Sequence, residues 1–138
     1  MNLCRLRLLI YTYMIKNYIP SNVARMVFAA TMALFGVFHF LGAKDMAGMV
    51  PAYLGFLPGE IWVYLTGLGL LGAAASFILD QKVKLAGYLL ALMLVLFVLL
   101  LHVPCLGDAV KGQMAMMMML KDLGLAMCAV LIANASEN

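Results

Sequence analysis

Residues 113–133 read QMAMMMMLKDLGLAMCAVLIA, and this stretch decides what kind of molecule the chain is. About twenty apolar residues are enough for a helix to cross the hydrocarbon of a bilayer. Lys121 and Asp122 nevertheless stand well inside the run, eight and nine positions past Gln113. At about 1.5 Å per helical residue the pair lies roughly 12 Å from the end, near mid-membrane. A charge there costs about 2.5–3.5 kcal/mol on insertion scales, so the pair must face protein, water or a partner rather than lipid. The rest of the chain then has to supply the walls that make the pair tolerable.

Composition agrees. The chain has 138 residues, of which 67% are hydrophobic and 11% charged, with a mean hydropathy of +1.06. Soluble domains carry roughly 25% charged and 45–50% apolar residues, so this is a membrane protein. The formal charge of +3 is small and lies at the ends and in one loop, which suits membrane orientation and gives nothing for nucleic acid. Cys4, Cys105 and Cys128 are far apart and form no C-x-x-C pair, which argues against a thioredoxin-type centre or a structural zinc site.

Outward from residues 113–133, three more hydrophobic segments are long enough to cross, at about 23–41, 61–79 and 85–103. With the fourth, at about 114–133, they give an all-α fold: a four-transmembrane-helix bundle occupying residues 23–138. Residues 1–22 stand apart as an N-terminal interfacial segment. Its first nineteen residues have the basic start and apolar run of a signal peptide, but Thr12 and Lys16 break the run and no small-residue cleavage site comes after it. Two readings stay open: an interfacial helix rich in tyrosine, or an extension upstream of a native start at Met14. Pro20-Ser21-Asn22 marks a helix start, with Ser21 or Asn22 as the expected N-cap. Asp80 to Lys84 is a tight turn that makes spans two and three antiparallel neighbours. The loop Gly42 to Glu60 is apolar but punctuated by Pro and Gly, as expected of a short half-helix or a dip into the interface.

Basic residues set the orientation. Arg5, Arg7, Lys16, Arg25, Lys82 and Lys84 fall on one side, and Lys44 and Lys111 on the other. The positive-inside rule therefore predicts both termini in the cytoplasm. Tyr53, Phe56, Trp62 and Tyr64 form the outer aromatic belt, and Tyr11, Tyr13 and Tyr18 the inner one. Small-x-x-x-small pairs (Ala29/Ala33, Gly69/Ala73, Gly72/Ser76, Gly87/Ala91 and Gly124/Cys128) predict closely packed helices.

In this topology Arg25 stands alone at the cytoplasmic end of span one, where it is expected to anchor to lipid phosphates. His39, Lys44, Glu60, His102, Lys121 and Asp122 are expected to converge on the outer half of the bundle. Ionisable groups inside a membrane mark functional sites by default. Lys121 is the expected donor to a ligand such as a quinone or an anionic head group. The blander alternative is an internal ion pair that sets helix registry, for example Lys121 with Glu60 or Asp122 with His39 or Arg25. Adjacent residues differ by about 100° around a helix, so Lys121 and Asp122 are expected to point at different spots. His39 and His102 can each carry a proton or bind a metal, or can simply be interfacial residues with one wet side. Met114 and Met116 to Met119 are soft ligands of the Cu(I) type. Consecutive methionines spread around a helix, however, and Met also fills irregular packing, so no metal site is expected.

Several motifs in order resemble the DoxX-like family of small four-helix bacterial membrane proteins, over about Val23 to Ala133. They are Arg25 opening span one, FHFLGAK (38–44), VPAYL (50–54), WVYLTGLGLLG (62–72), LHVP (101–104) and MMLKDLGLA (118–126). The resemblance implies a multi-pass protein of the bacterial inner membrane, with Arg25, His39, Lys44, His102 and Lys121 as functional positions. It also implies association with quinone-linked oxidation of sulfur compounds and with membrane redox complexes. Many relatives carry a glutamate shortly after the span-two T-G, where this chain has Leu68, Gly69, Leu70 and Leu71. No C-x-x-C-H, iron–sulfur spacing or Gly-rich nucleotide loop is present, so no covalent cofactor is expected. The expected role is an accessory subunit beside a redox partner subunit, with quinone as the diffusible ligand and no catalysis by the chain alone. A small homo-oligomeric transporter and a non-catalytic assembly or scaffold protein are the alternatives.

Overall fold

A computed structural model of the chain describes residues 3–5, 7 and 20–137. The expected interfacial segment and the question of Met14 fall almost wholly outside them. The elements are α1 (Ser21–Leu41), α2 (Ala43–Ala47), α3 (Gly59–Leu79), α4 (Val83–Phe97) and α5 (Gly112–Ala135). A 3-10 turn at Ala52–Leu54 lies in the first loop, and a π turn (Val98–His102) followed by a 3-10 turn (Val103–Cys105) extends α4. No strand occurs among the described residues. Four helices, of 21, 21, 23 and 24 residues, are long and apolar enough to cross a membrane. At about 1.5 Å per residue each reaches 30 Å or more, the thickness of the hydrocarbon core. The protein is a multi-pass membrane protein.

Local chemistry sets the ends. α1 starts at Ser21, with Pro20 in the N-cap position and no side-chain cap, so neither Ser21 nor Asn22 takes the role expected of it. The Pro20 carbonyl already accepts from the Val23 and Ala24 amides, which draws Ser21 into the first turn. At the α3–α4 turn Asp80 and Lys82 both adopt left-handed backbone, with φ of 56° and 52°. The Asp80 and Gln81 amides both donate to the Ser76 carbonyl, and the Ser76 hydroxyl donates to the Gln81 carbonyl. These bonds offset the roughly 1–3 kcal/mol that a strained backbone position costs. The start of α5 is held by Asp108, whose Oδ1 accepts from the Val110 and Lys111 amides at 2.8 and 2.9 Å.

The Lys111 amide first, and then that of Val110, hold the Asp108 carboxyl below its ordinary value. A lowered folded-state value means that the cap contributes fully above the ordinary carboxyl range, at about pH 4, and is lost as pH falls through the lowered value. Hydrogen exchange at Val110 and Lys111 should therefore stay slow at pH 5 and quicken only in stronger acid. Exchange in Asp108→Ala should be fast at both. Equal protection in wild type and variant would refute the cap.

The spans pair through close approaches at glycine. A Cβ on Gly36 would lie 2.7 Å from the Leu71 Cγ and 3.1 Å from the Gly67 carbonyl oxygen, so α1 crosses α3 there. A Cβ on Gly87 would lie 2.8 Å from the Ala129 carbonyl oxygen, where α4 crosses α5. The core between the two pairs is apolar, with Met32, Phe77 and Val83 fully enclosed and the Phe28 and Phe77 rings 5.9 Å apart.

The first loop is folded rather than free, as α2 and the 3-10 turn indicate. The Trp62 indole donates to the Leu54 carbonyl at 3.0 Å, and the Phe56 ring meets Trp62 edge-on at 5.2 Å. Tyr53 reaches further. Pro104 has no N–H to give to Leu100, four residues back, and the Tyr53 hydroxyl donates to that carbonyl instead. Tyr53→Phe should therefore lower stability by about 1 kcal/mol, the usual net worth of such a bond. Unfolding in mixed detergent micelles would measure it, and no change would mean that the Leu100 carbonyl finds another donor.

Candidate functional site

The site grows from α5. Asp122 lies on the same helical face as Ala115, Ala126, Ala129 and Ala133, all buried, at spacings of seven, four, seven and eleven residues. Small alanines bring this face close to its neighbours, and Asp122 is carried in with them, its side chain only 5% exposed. A buried carboxylate requires partners, and two are present. The first is His102, whose Nε2 stands 2.8 Å from Asp122 Oδ2. His102 ends the π turn, in which the Val103 amide donates to Val98 rather than to Leu99. One extra residue in that turn rotates the chain beyond it relative to an uninterrupted α-helix, and such bulges are frequent at functional sites.

The second partner is Lys121, with Nζ 3.1 Å from Asp122 Oδ1. This corrects the expectation that neighbours 100° apart cannot meet. The flexible four-carbon stem of Lys121 folds back over the carboxylate, so the ends converge although the Cβ atoms diverge. The ammonium also sits 5.0 Å from the centre of the Phe35 ring on α1, within cation–π range. The Lys121 side chain remains 42% exposed, next to outward-facing Met117, Leu120 and Gly124. The ammonium thus has a carboxylate on one side, an aromatic face on another and an open approach from the bilayer.

The other expected site residues divide. The His39 ring lies within hydrogen-bond distance of the Phe35 carbonyl, Nδ1 to O 2.7 Å. A carbonyl can only accept, so Nδ1 carries the proton and a neutral ring offers Nε2 as acceptor. His39 therefore braces the turn of α1 that carries Phe35. Lys44 is exposed on α2 and Glu60 is half-buried in the first turn of α3. Among the described residues no ion pair joins either to the cluster. The pairings Lys121–Glu60 and Asp122 with His39 or Arg25 are replaced by Asp122 with His102 and Lys121. Arg25 pairs instead with Asp80 across the α3–α4 turn, at the end of the bundle that holds the start of α1 and the end of α5.

Phe35 has no place among the residues expected from sequence, while Tyr53 is expected only in the outer aromatic belt and Asp80 only in the turn between spans two and three. Phe35 had a signal, since it stands four residues before His39 on one helical face. Asp80 had none, being 55 positions from Arg25. The cysteines are free. Among the described residues no three His, Cys, Asp or Glu side chains come together as a metal site would require. The two polar clusters are separated by Ala29, Met32, Leu70, Phe77, Ala126 and Ala129, all buried.

No curated protein and no solved structure matches the chain. Residues 28–137, from within α1 to the last described residue, match the family described as Domain of unknown function (DUF8561), and the chain belongs to that family.

Proposed function

We propose that the protein is an accessory subunit of a quinone-linked membrane redox system, as in the DoxX-like proteins that it resembles. In this reading it lies in the bacterial inner membrane with both termini in the cytoplasm. Arg25, Lys82 and Lys84 at the terminal end, against Lys44 and Lys111 at the other, support the orientation. The observation that carries the reading is the half-exposed Lys121 side chain, whose ammonium is held between Asp122 and Phe35.

These residues fit a quinone. When bound, a quinone supplies two-electron, two-proton chemistry, and a cofactor of the partner subunit supplies the electrons. Lys121 Nζ donates a hydrogen bond to a carbonyl oxygen of the ring. Phe35 offers an aromatic face beside it. The His102–Asp122 pair holds a proton at Nε2, within one side chain of Lys121, and its place at the end of span three leads towards the membrane surface. Outward-facing Met117 and Leu120 leave the approach lateral, the route a membrane-dissolved ligand takes. The apolar core beneath the cluster argues against a polar path through one protomer, which leaves the homo-oligomeric transporter only a path between protomers.

Mass spectrometry of the purified full-length protein tests the reading. Wild type should retain quinone stoichiometrically, and Lys121→Met should lose it while staying folded. Quinone absent from both, with both folded, would sink the proposal.

A further inference from the structure

We propose that the cleft between the start of α1 and the end of α5 binds an anionic membrane lipid, with its phosphate on Arg25 and one acyl chain along the apolar wall. The cleft has a volume of about 360 Å³, towards the small end of ligand sites. It lies towards the C-terminal end of α5, beyond the Lys121 cluster, and shares no residue with that cluster. Ser21, Asn22 and Arg25 line it on α1, and Leu131 and Ile132 on α5, with Phe28 further in. Polar groups thus stand at the level of the helix ends and hydrocarbon lies below them, the profile of an amphiphile at the membrane boundary. From Cys128 to Ser136, both of which line it, eight residues of rise give about 12 Å of wall.

Arg25 supplies the chemistry. Its side chain is 16% exposed, and Nη1 donates to Asp80. Its Nε–H is buried and has no acceptor. Buried donors without partners are uncommon, and a guanidinium edge matches two phosphate oxygens in one plane. The surrounding charge favours an anion. Asp80 brings its turn to Arg25, and Lys82 in that turn and Lys84 in the first turn of α4 add basic residues to this end of the bundle. Inorganic phosphate could satisfy Arg25, but it would leave the wall of Phe28, Leu131 and Ile132 unfilled. A lipid phosphate satisfies both, and anionic lipids concentrate where basic residues flank a span.

Native mass spectrometry of the full chain, in detergent with equal phosphatidylglycerol and phosphatidylcholine, tests this. Wild type should retain phosphatidylglycerol in preference by about tenfold, the worth of one charge-assisted bond. Arg25→Gln should abolish the preference. Asp80→Asn, which removes the ion pair and keeps the guanidinium, should retain it. Leu131→Trp, which fills the wall and leaves Arg25 and Asp80 alone, should lose the lipid. If Arg25→Gln fails to fold, Leu131→Trp decides. Equal retention of the two lipids, full displacement by millimolar inorganic phosphate, or unchanged binding in Leu131→Trp would each overturn the proposal.

Discussion

Asp122→Ala is expected to lower the stability of the bundle by about 3 kcal/mol, the range found when one member of a buried ion pair is removed. The carboxylate is the shared acceptor of His102 and Lys121, so its loss strands two donors. The charged one matters more. An unpaired ammonium near mid-membrane costs about 2.5–3.5 kcal/mol on insertion scales. The Phe35 face and the outward exposure of Lys121 recover part of that, and His102 can stay neutral. Replacing all three polar groups, as His102→Leu, Lys121→Met and Asp122→Leu together, should restore stability to within about 1 kcal/mol of wild type, because an apolar cluster strands nothing. The pattern is strongly non-additive, and a mutant cycle read by unfolding in mixed micelles would resolve it. If Asp122→Ala cost less than about 0.5 kcal/mol, the surface norm, the cluster would hold nothing together. The triple variant also separates fold from function, since it should be stable and free of quinone.

The spans were legible because length and apolarity suffice to define them. Expected at 23–41, 61–79, 85–103 and 114–133, they extend two residues further at six of the eight ends, while the first still ends at Leu41 and the second at Leu79. Most of the extra residues are polar or small ones, such as Ser21, Gly59 and Gly112, which hydropathy does not count but the helix includes. The cluster was half legible. His102, Lys121 and Asp122 stand out as ionisable groups in apolar runs, but their meeting depends on a π turn and on a lysine rotamer. Neither leaves a periodicity to read. Pro104 was visible, yet its consequence required Tyr53, which stands 47 positions from the Leu100 carbonyl. Arg25 is expected to be a phosphate anchor, and its pairing with Asp80, at the C-terminal end of α3, depends on how α1 packs against α3, a long-range event.

Glycine shows the same division, and it sets the other large effect. The small-x-x-x-small spacing marks Gly72, Gly87 and Gly124 alike, but only one of the three is at a crossing. A Cβ at Gly87 would meet the Ala129 carbonyl oxygen at 2.8 Å and the Ala133 Cβ at 2.9 Å. The obstacle is partly backbone, which cannot rotate away. Gly87→Val adds three carbons there and should push α4 and α5 apart, at about 3 kcal/mol or more, the upper range for overpacking. The neighbouring bond from the Tyr88 hydroxyl to Asn134 would go with it. Nothing lies within 4 Å of the corresponding point on Gly72 or Gly124, so valine at either should change stability in detergent by no more than about 0.5 kcal/mol. Equal damage at all three sites would mean that propensity, not contact, governs these helices. Gly124 carries a second readout, because it stands on the outward side of α5, three residues past Lys121. In the proposed reading the chain presents one face to a redox partner, and the face beside the Lys121 ammonium is the one that electrons would reach. Gly124→Val should therefore leave the isolated bundle stable and weaken its co-purification with that partner, while Gly72→Val, on another span, should do neither.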